Sequence, residues 1–252
     1  MRGSGQKLQT DGLVIKEQNV GESDRLITIL TGDYGVIRAF VRRAKTVKSN
    51  MVSSTQLMCY SEFTLYKSAS SYSVSHAQVK NVFFGLRDDI EALSAAMYLS
   101  ELFGELAPEN ADSEDLLKLL LNSLYLLSEH KASAQQIKSV AELRGLSNAG
   151  YMPDLVACQN CGAFETEQMY FDPKDGHLIC ADCGTPMSGL LISISTVTAM
   201  RHIIYSEPKK IFGFALSDAA MLELSKAAEM FALEQTGRNY KTLEFYKSIS
   251  IN

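Results

Sequence analysis

Between Asp11 and Lys80 the apolar residues fall into short runs: Leu13-Val14-Ile15, Leu26 to Leu30, Val36 to Val41, Leu57 to Tyr66 and Tyr72 to Val79. The runs are rich in β-branched and aromatic residues. Asn19-Val20-Gly21, Gly32-Asp33-Tyr34-Gly35 and the serines from Ser68 to Ser73 punctuate them, which predicts five antiparallel strands. Five short strands in this length fit a partly open OB-type barrel, and an SH3-like barrel would show the same pattern. After Val82 the period changes. Ile90, Leu93, Met97, Leu99, Leu102, Phe103 and Leu106 recur at helical spacing until Pro108. A second helix starts after Asp112 or Ser113 as N-cap, and its leucines cover nearly every face. A third runs from Ser133, with Gln136 completing a capping box, to Gly145. Val197, Met200, Ile203 and Ile204 predict another helix, and Met221, Leu224, Ala228 and Phe231 a further one that ends at Gly237.

The reading is therefore α+β: a five-stranded barrel over residues 1–80, then an all-α helical domain over 81–252 interrupted by a cysteine segment at about 155–186. With 252 residues, 46% of them hydrophobic, the chain can bury a proper core. It has no apolar run long enough to span a bilayer. Residues 1–5 lack the apolar middle of a signal peptide and read as an expression remnant, so a cytoplasmic location is expected.

Charge changes the picture. The chain carries −5 overall, yet residues 1–80 hold 11 basic against 6 acidic side chains, while the remainder holds 13 against 23. A polyanion is therefore expected to meet the amino-terminal part alone. Arg38, Arg42, Arg43, Lys45 and Lys48 lie within eleven residues free of acid. Arg38 and Arg42 share parity on an extended strand, and the other three continue into a loop, an arrangement able to track a phosphate backbone. Thr46, Ser49 and Asn50 can add hydrogen bonds, and Tyr34, Tyr60, Tyr66 or Tyr72 can supply stacking platforms. A solvated loop is the plainer reading of such a run; its place on a five-stranded barrel favours DNA.

Cys158-Gln159-Asn160-Cys161-Gly162 and Cys180-Ala181-Asp182-Cys183-Gly184 are two C-x-x-C knuckles. In a reducing compartment this spacing reads as a four-thiolate zinc site, with Gln168 to Phe171 and His177 to Ile179 as a hairpin between the pairs. Four thiolates leave no open coordination position, so one structural Zn2+ is expected. The fifth cysteine, Cys59, reads as a small buried hydrophobe. Five acidic residues from Cys158 to Cys183 argue against DNA contact there, and no catalytic constellation emerges. Two other classes of function stay open on these residues: a zinc-braced interaction scaffold without its own DNA affinity, and a thiol redox enzyme.

The order of these segments resembles the bacterial RecO family of DNA repair proteins. The resemblance rests on Gly12-Leu13-Val14-Ile15, Gly21-Glu22-Ser23-Asp24-Arg25-Leu26, Thr31-Gly32-Asp33-Tyr34-Gly35 and the stretch from Val41 to Ser49. It resumes at Leu143-Arg144-Gly145-Leu146 and at Gly150-Tyr151-Met152-Pro153-Asp154-Leu155, which runs into the first knuckle. Phe40-Val41 departs from the family, which often has glycine and alanine there. The resemblance implies an OB-fold followed by a helical domain carrying the zinc ribbon. It also implies binding of single- and double-stranded DNA, annealing of strands coated by single-stranded DNA-binding protein, and, with RecR, help in loading RecA, in a nucleoid-associated setting. It points to Arg42, Arg43, Lys45 and Lys48 as DNA contacts. Arg201, His202, Lys209 and Lys210 form the basic cluster expected to take the acidic tail of single-stranded DNA-binding protein.

Overall fold

The computed structural model describes residues 6–42, 51–68 and 71–250. Five strands close into a barrel: β1 (Gln6–Val20), β2 (Asp24–Thr31), β3 (Gly35–Val41), β4 (Cys59–Lys67) and β5 (Tyr72–Val82), in the order β1-β2-β3-β5-β4. That order, with β3 and β5 parallel, is the OB arrangement and separates it from the SH3-like alternative. Closure depends on β1. Its first half pairs with β4 (Gln6 opposite Lys67) and its second half with β2 (Val20 opposite Asp24), and a bulge between Val14 and Lys16 bends it from one partner to the other. Val14 of β1, with Ile27, Ile29, Ile37, Ala39, Val41, Phe63 and Leu65 from alternate positions along β2, β3 and β4, fills the interior. Cys59 is buried as expected, with its sulfur 3.3 Å from the Ser61 hydroxyl, and burial pushes the thiol pKa up.

Two compact units are present. The first, Met1–Glu129 with Glu244–Asn252, contains the barrel, a short helix α1 (Met51–Ser54), α2 (Ile90–Leu106) and α3 (Glu114–Ser128). Residue 80 lies within β5, and this unit continues past the strands through both helices. Asp89 caps α2 by accepting from the backbone N–H groups of Glu91 and Ala92. At α3 the two expected caps divide the work: Asp112 accepts from the Glu114 N–H, whereas the Ser113 hydroxyl, at the N-cap position, makes no capping bond. Val36 N–H donates to the Pro108 carbonyl and Ser113 N–H to that of Gly32, fixing the α2–α3 connection on the β2–β3 turn.

The second unit, His130–Leu243, holds α4 (Ala134–Asn148), α5 (Ile194–Tyr205) and α6 (Asp218–Thr236) around a four-stranded sheet. Its strands are β6 (Asp154–Cys158), β7 (Gln168–Asp172), β8 (His177–Cys180) and β9 (Leu190–Ser193), ordered β6-β8-β7-β9. β7 and β8 are the expected hairpin. The ribbon is wider than the spacing foretold, because β6 and β9 flank that hairpin. The Ser133 hydroxyl caps α4, but the expected capping box does not form: the Gln136 amide instead donates to the carbonyls of Phe212 and Phe214, tying the 212–216 loop to α4. Glu223 on α6 accepts from Ser193 N–H and from the Ser193 and Thr196 hydroxyls at the start of α5. A last helix, α7 (Lys241–Ser250), was not foreseen. Among the described residues no helix is long and apolar enough to cross a membrane.

α4 and α6 are joined by a buried charge group. Lys138, fully buried, donates to Glu142 at 2.9 Å and to Glu229 at 3.1 Å. Burial works against the ammonium, but the two carboxylates more than offset it, so the Lys138 pKa is raised. Removing one partner of such a group leaves the remaining buried charges less compensated. Lys138→Ala should cost about 3 kcal/mol in urea unfolding at neutral pH. Because the folded pKa lies above the unfolded one, the lysine's contribution is complete below about pH 10 and fades only as pH rises through the folded value. The variant's deficit should accordingly be flat across neutral pH and shrink in strong alkali.

Candidate metal centre and nucleic-acid interface

The four knuckle cysteines converge. Their sulfurs all lie within 4.8 Å of one another, with those of Cys161 and Cys180 3.6 Å apart. A tetrahedral ion bound to thiolates at about 2.3 Å sets sulfurs about 3.8 Å apart, so the cluster fits a metal. Each knuckle is closed by its own backbone. Gly162 N–H donates to the Cys158 carbonyl, and Cys183 and Gly184 N–H groups donate to that of Cys180. Gly162 takes φ +75°, and a Cβ on Gly184 would come within 2.5 Å of the Tyr170 ring, which explains a glycine after each pair.

The electrostatics also ask for a cation. At Cys158 burial opposes the thiolate, but backbone N–H groups of Cys180, Cys161 and Asn160 outweigh it and hold the thiol down to about 6. Cys183, sharing protons with the sulfurs of Cys161 and Cys180, is pushed up to about 12. The set cannot ionise fully by itself; a central divalent ion removes that penalty. The hairpin turn gathers a second group, Asp172, Asp175 and His177. Asp172 is already accepting the N–H groups of Lys174 and Asp175, which accounts for its place in the turn.

On the barrel, Ile37, Ala39 and Val41 point inward, so Arg38, Phe40 and Arg42 point outward in alternation along β3 and its end. Among the described residues neither Arg38 nor Arg42 is held by a carboxylate, in contrast to Arg25, which pairs with Glu17 at 3.1 Å. Arg43, Lys45 and Lys48, with Thr46, Ser49 and Asn50, lie outside the described residues.

Phe40 is the residue that sequence reasoning missed. It is 36% exposed, and the strand register places it opposite Leu26 on β2 and Ser73 on β5, with Ser73 in turn opposite Tyr66 on β4. Phe40 and Tyr66, the latter 42% exposed, therefore stand two strands apart, about 10 Å, with only a serine between them. The other expected tyrosines divide. Tyr34 and Tyr72 pack partly against the barrel core, and Tyr60 sits under the Lys80 ammonium. The signal for Phe40 was its parity with the flanking arginines.

Several members of the expected basic cluster of the second unit already have partners within it. The Arg201 guanidinium is occupied by three backbone carbonyls and the Phe164 ring. Lys210 pairs with Glu207 at 3.0 Å, while His202 Nε2 meets the Lys210 carbonyl at 2.8 Å. His202 also lines a cavity of about 400 Å³ between α5 and the 214–216 segment.

Comparison with known proteins agrees with both halves. The family model "Recombination protein O N terminal" matches residues 4–83 and "Recombination protein O C terminal" matches residues 87–244. The DNA repair protein RecO of Acetivibrio thermocellus is 37% identical over 243 residues, which is 96% of this chain and 97% of the relative. Those of Alkaliphilus metalliredigens and Caldicellulosiruptor bescii are 29% and 28% identical, each over 96% of this chain and 99% and 98% of their own. The two family models together cover nearly the whole chain, and this chain belongs to the RecO family of DNA repair and recombination proteins.

Proposed function

We propose that the chain is a recombination mediator that binds single-stranded DNA across the outer face of β2 and β3. The observation that carries this reading is the outward row Arg38, Phe40, Arg42 on a closed OB barrel, the face on which such barrels take oligonucleotides. The arginines, joined by Arg43, Lys45 and Lys48, neutralise successive phosphates; Phe40 and Tyr66 offer π-faces that any base can use. Binding of this kind reads backbone and stacking rather than sequence, so double-stranded DNA is a second, weaker substrate through its phosphates alone.

From that surface the finer role follows. Neutralising two complementary strands lowers their mutual repulsion, so the chain anneals strands coated by single-stranded DNA-binding protein and, with RecR, helps RecA load, in the cytoplasm at the nucleoid. The four cysteines hold one structural Zn2+, which stiffens the two knuckle loops of the ribbon. The acidic tail of single-stranded DNA-binding protein meets Lys209 and Lys210, with Arg201 committed to the ribbon. Annealing of fluorophore-labelled complementary strands, bare and precoated, tests the role. Wild type should accelerate both, and Arg38→Glu with Arg42→Glu should abolish both. Equal annealing with and without protein would sink the mediator reading.

A further inference from the structure

The first cysteine pair rests on the weaker side of its sheet. β6 pairs with β8 only at Asp154 opposite His177 and Cys158 opposite Leu178, with an irregularity between them, so the carbonyls of Leu155 and Val156 fall where the ladder is broken. Arg201, on α5, supplies the missing donors. Its Nε donates to the Leu155 carbonyl at 2.6 Å and its Nη2 to those of Val156 at 3.0 Å and Phe164 at 2.9 Å, with the guanidinium 4.2 Å from the Phe164 ring centroid. Leu155 and Val156 precede the knuckle and Phe164 follows it, so one planar cation clasps both sides of the loop that carries Cys158 and Cys161. Inside the clasp, Cys158 N–H donates to the Ala163 carbonyl at 2.8 Å and completes the loop.

We propose that Arg201 is a positioning residue for the metal: it holds the Cys158–Cys161 pair in ligating geometry and thereby sets how fast the ion is lost. This rests on the reading of the four cysteines as a zinc site. The second pair needs no such clasp. Cys180 ends β8, which is flanked by β6 and β7, and the β7–β8 hairpin is anchored to α6 by the Phe171–Phe231 contact and by the Gln235 amide on the Pro173 and Lys174 carbonyls. Release should begin at the first pair. A lysine cannot substitute, because one ammonium lacks the fork that reaches three carbonyls while lying flat on a ring.

The test measures zinc transfer from the purified full chain to a chromogenic chelator, after metal analysis of the wild type. Arg201→Gln and Arg201→Lys should each release zinc at least tenfold faster than wild type with all four thiols intact. Phe164→Leu, which spares the carbonyls, should be only a few-fold faster and serves if the Arg201 variants do not fold. Lys138→Ala, destabilised elsewhere in the same unit, should release at the wild-type rate. Release from Arg201→Gln within twofold of wild type would overturn the proposal, as would equally fast release from Lys138→Ala, which would reduce the effect to general destabilisation. Wild type carrying no metal would overturn the zinc reading itself, a result separable from the others because it appears before any variant is compared.

Discussion

Cys158→Ser is expected to strip the ion from the ribbon and lower the melting temperature of the chain by about 10 °C or more. Structural zinc contributes on the order of 10 kcal/mol in isolated peptides, and serine, which does not ionise near neutral pH, removes one of four thiolates and the negative charge it brings. A loss of several kcal/mol in a domain of this size shifts melting by about 2–4 °C for each kcal/mol. Cys158 is one of the two buried thiols of the set, and backbone N–H groups favour its thiolate. Thiolate ligation also fixes the sign of the pH effect: protons compete with the metal, so acidification drives release. Cys59→Ser is the control, since that thiol sits beside Ser61 in the barrel. Calorimetry paired with metal analysis checks both. A Cys158→Ser chain that keeps one zinc and melts with the wild type would refute the four-thiolate centre.

Arg38→Glu combined with Arg42→Glu should raise the dissociation constant for single-stranded DNA about a thousandfold at 50 mM salt. Each phosphate left without its cation forgoes about a tenfold gain from counterion release at that salt, and each reversal adds a repulsion of its own. Because both side chains point to solvent from a strand whose alternate residues fill the core, the pair can be exchanged without disturbing the barrel. Phe40→Ala should cost less, about 1–3 kcal/mol for one stacked base, and the loss should persist at high salt, where the arginine effect is screened. The two variants therefore separate phosphate tracking from stacking in one titration series.

What the sequence revealed and what it hid follow from the range of the interactions. The barrel strands were legible because β-branched and aromatic runs alternate with turn residues, and the ribbon because a tetrahedral ion demands paired cysteines. Phe40 was hidden in plain view. An apolar residue in an apolar strand reads as core until its parity is set against Arg38 and Arg42. Arg201 was grouped with Lys209 and Lys210 because they are close in sequence and alike in charge. Yet Lys209 and Lys210 lie beyond the end of α5, and the partners of Arg201 lie 37 to 46 residues away across the fold. Gln136 failed as half of a capping box for the same reason, its amide being claimed by carbonyls 76 and 78 residues distant. β9 has four residues, too few for periodicity to register. α7 carried a weak trace, Tyr240, Leu243 and Tyr246 three apart and all buried.

The central claim is that the amino-terminal barrel binds single strands through phosphates. Fluorescence anisotropy of a labelled oligonucleotide with wild-type protein, repeated across salt concentrations, tests it most directly. If Arg38, Arg42, Arg43, Lys45 and Lys48 each neutralise one phosphate, the logarithm of the binding constant should fall against the logarithm of salt with a slope of about −3.5. Binding that cannot be detected at low salt, or a slope near zero, would contradict the account.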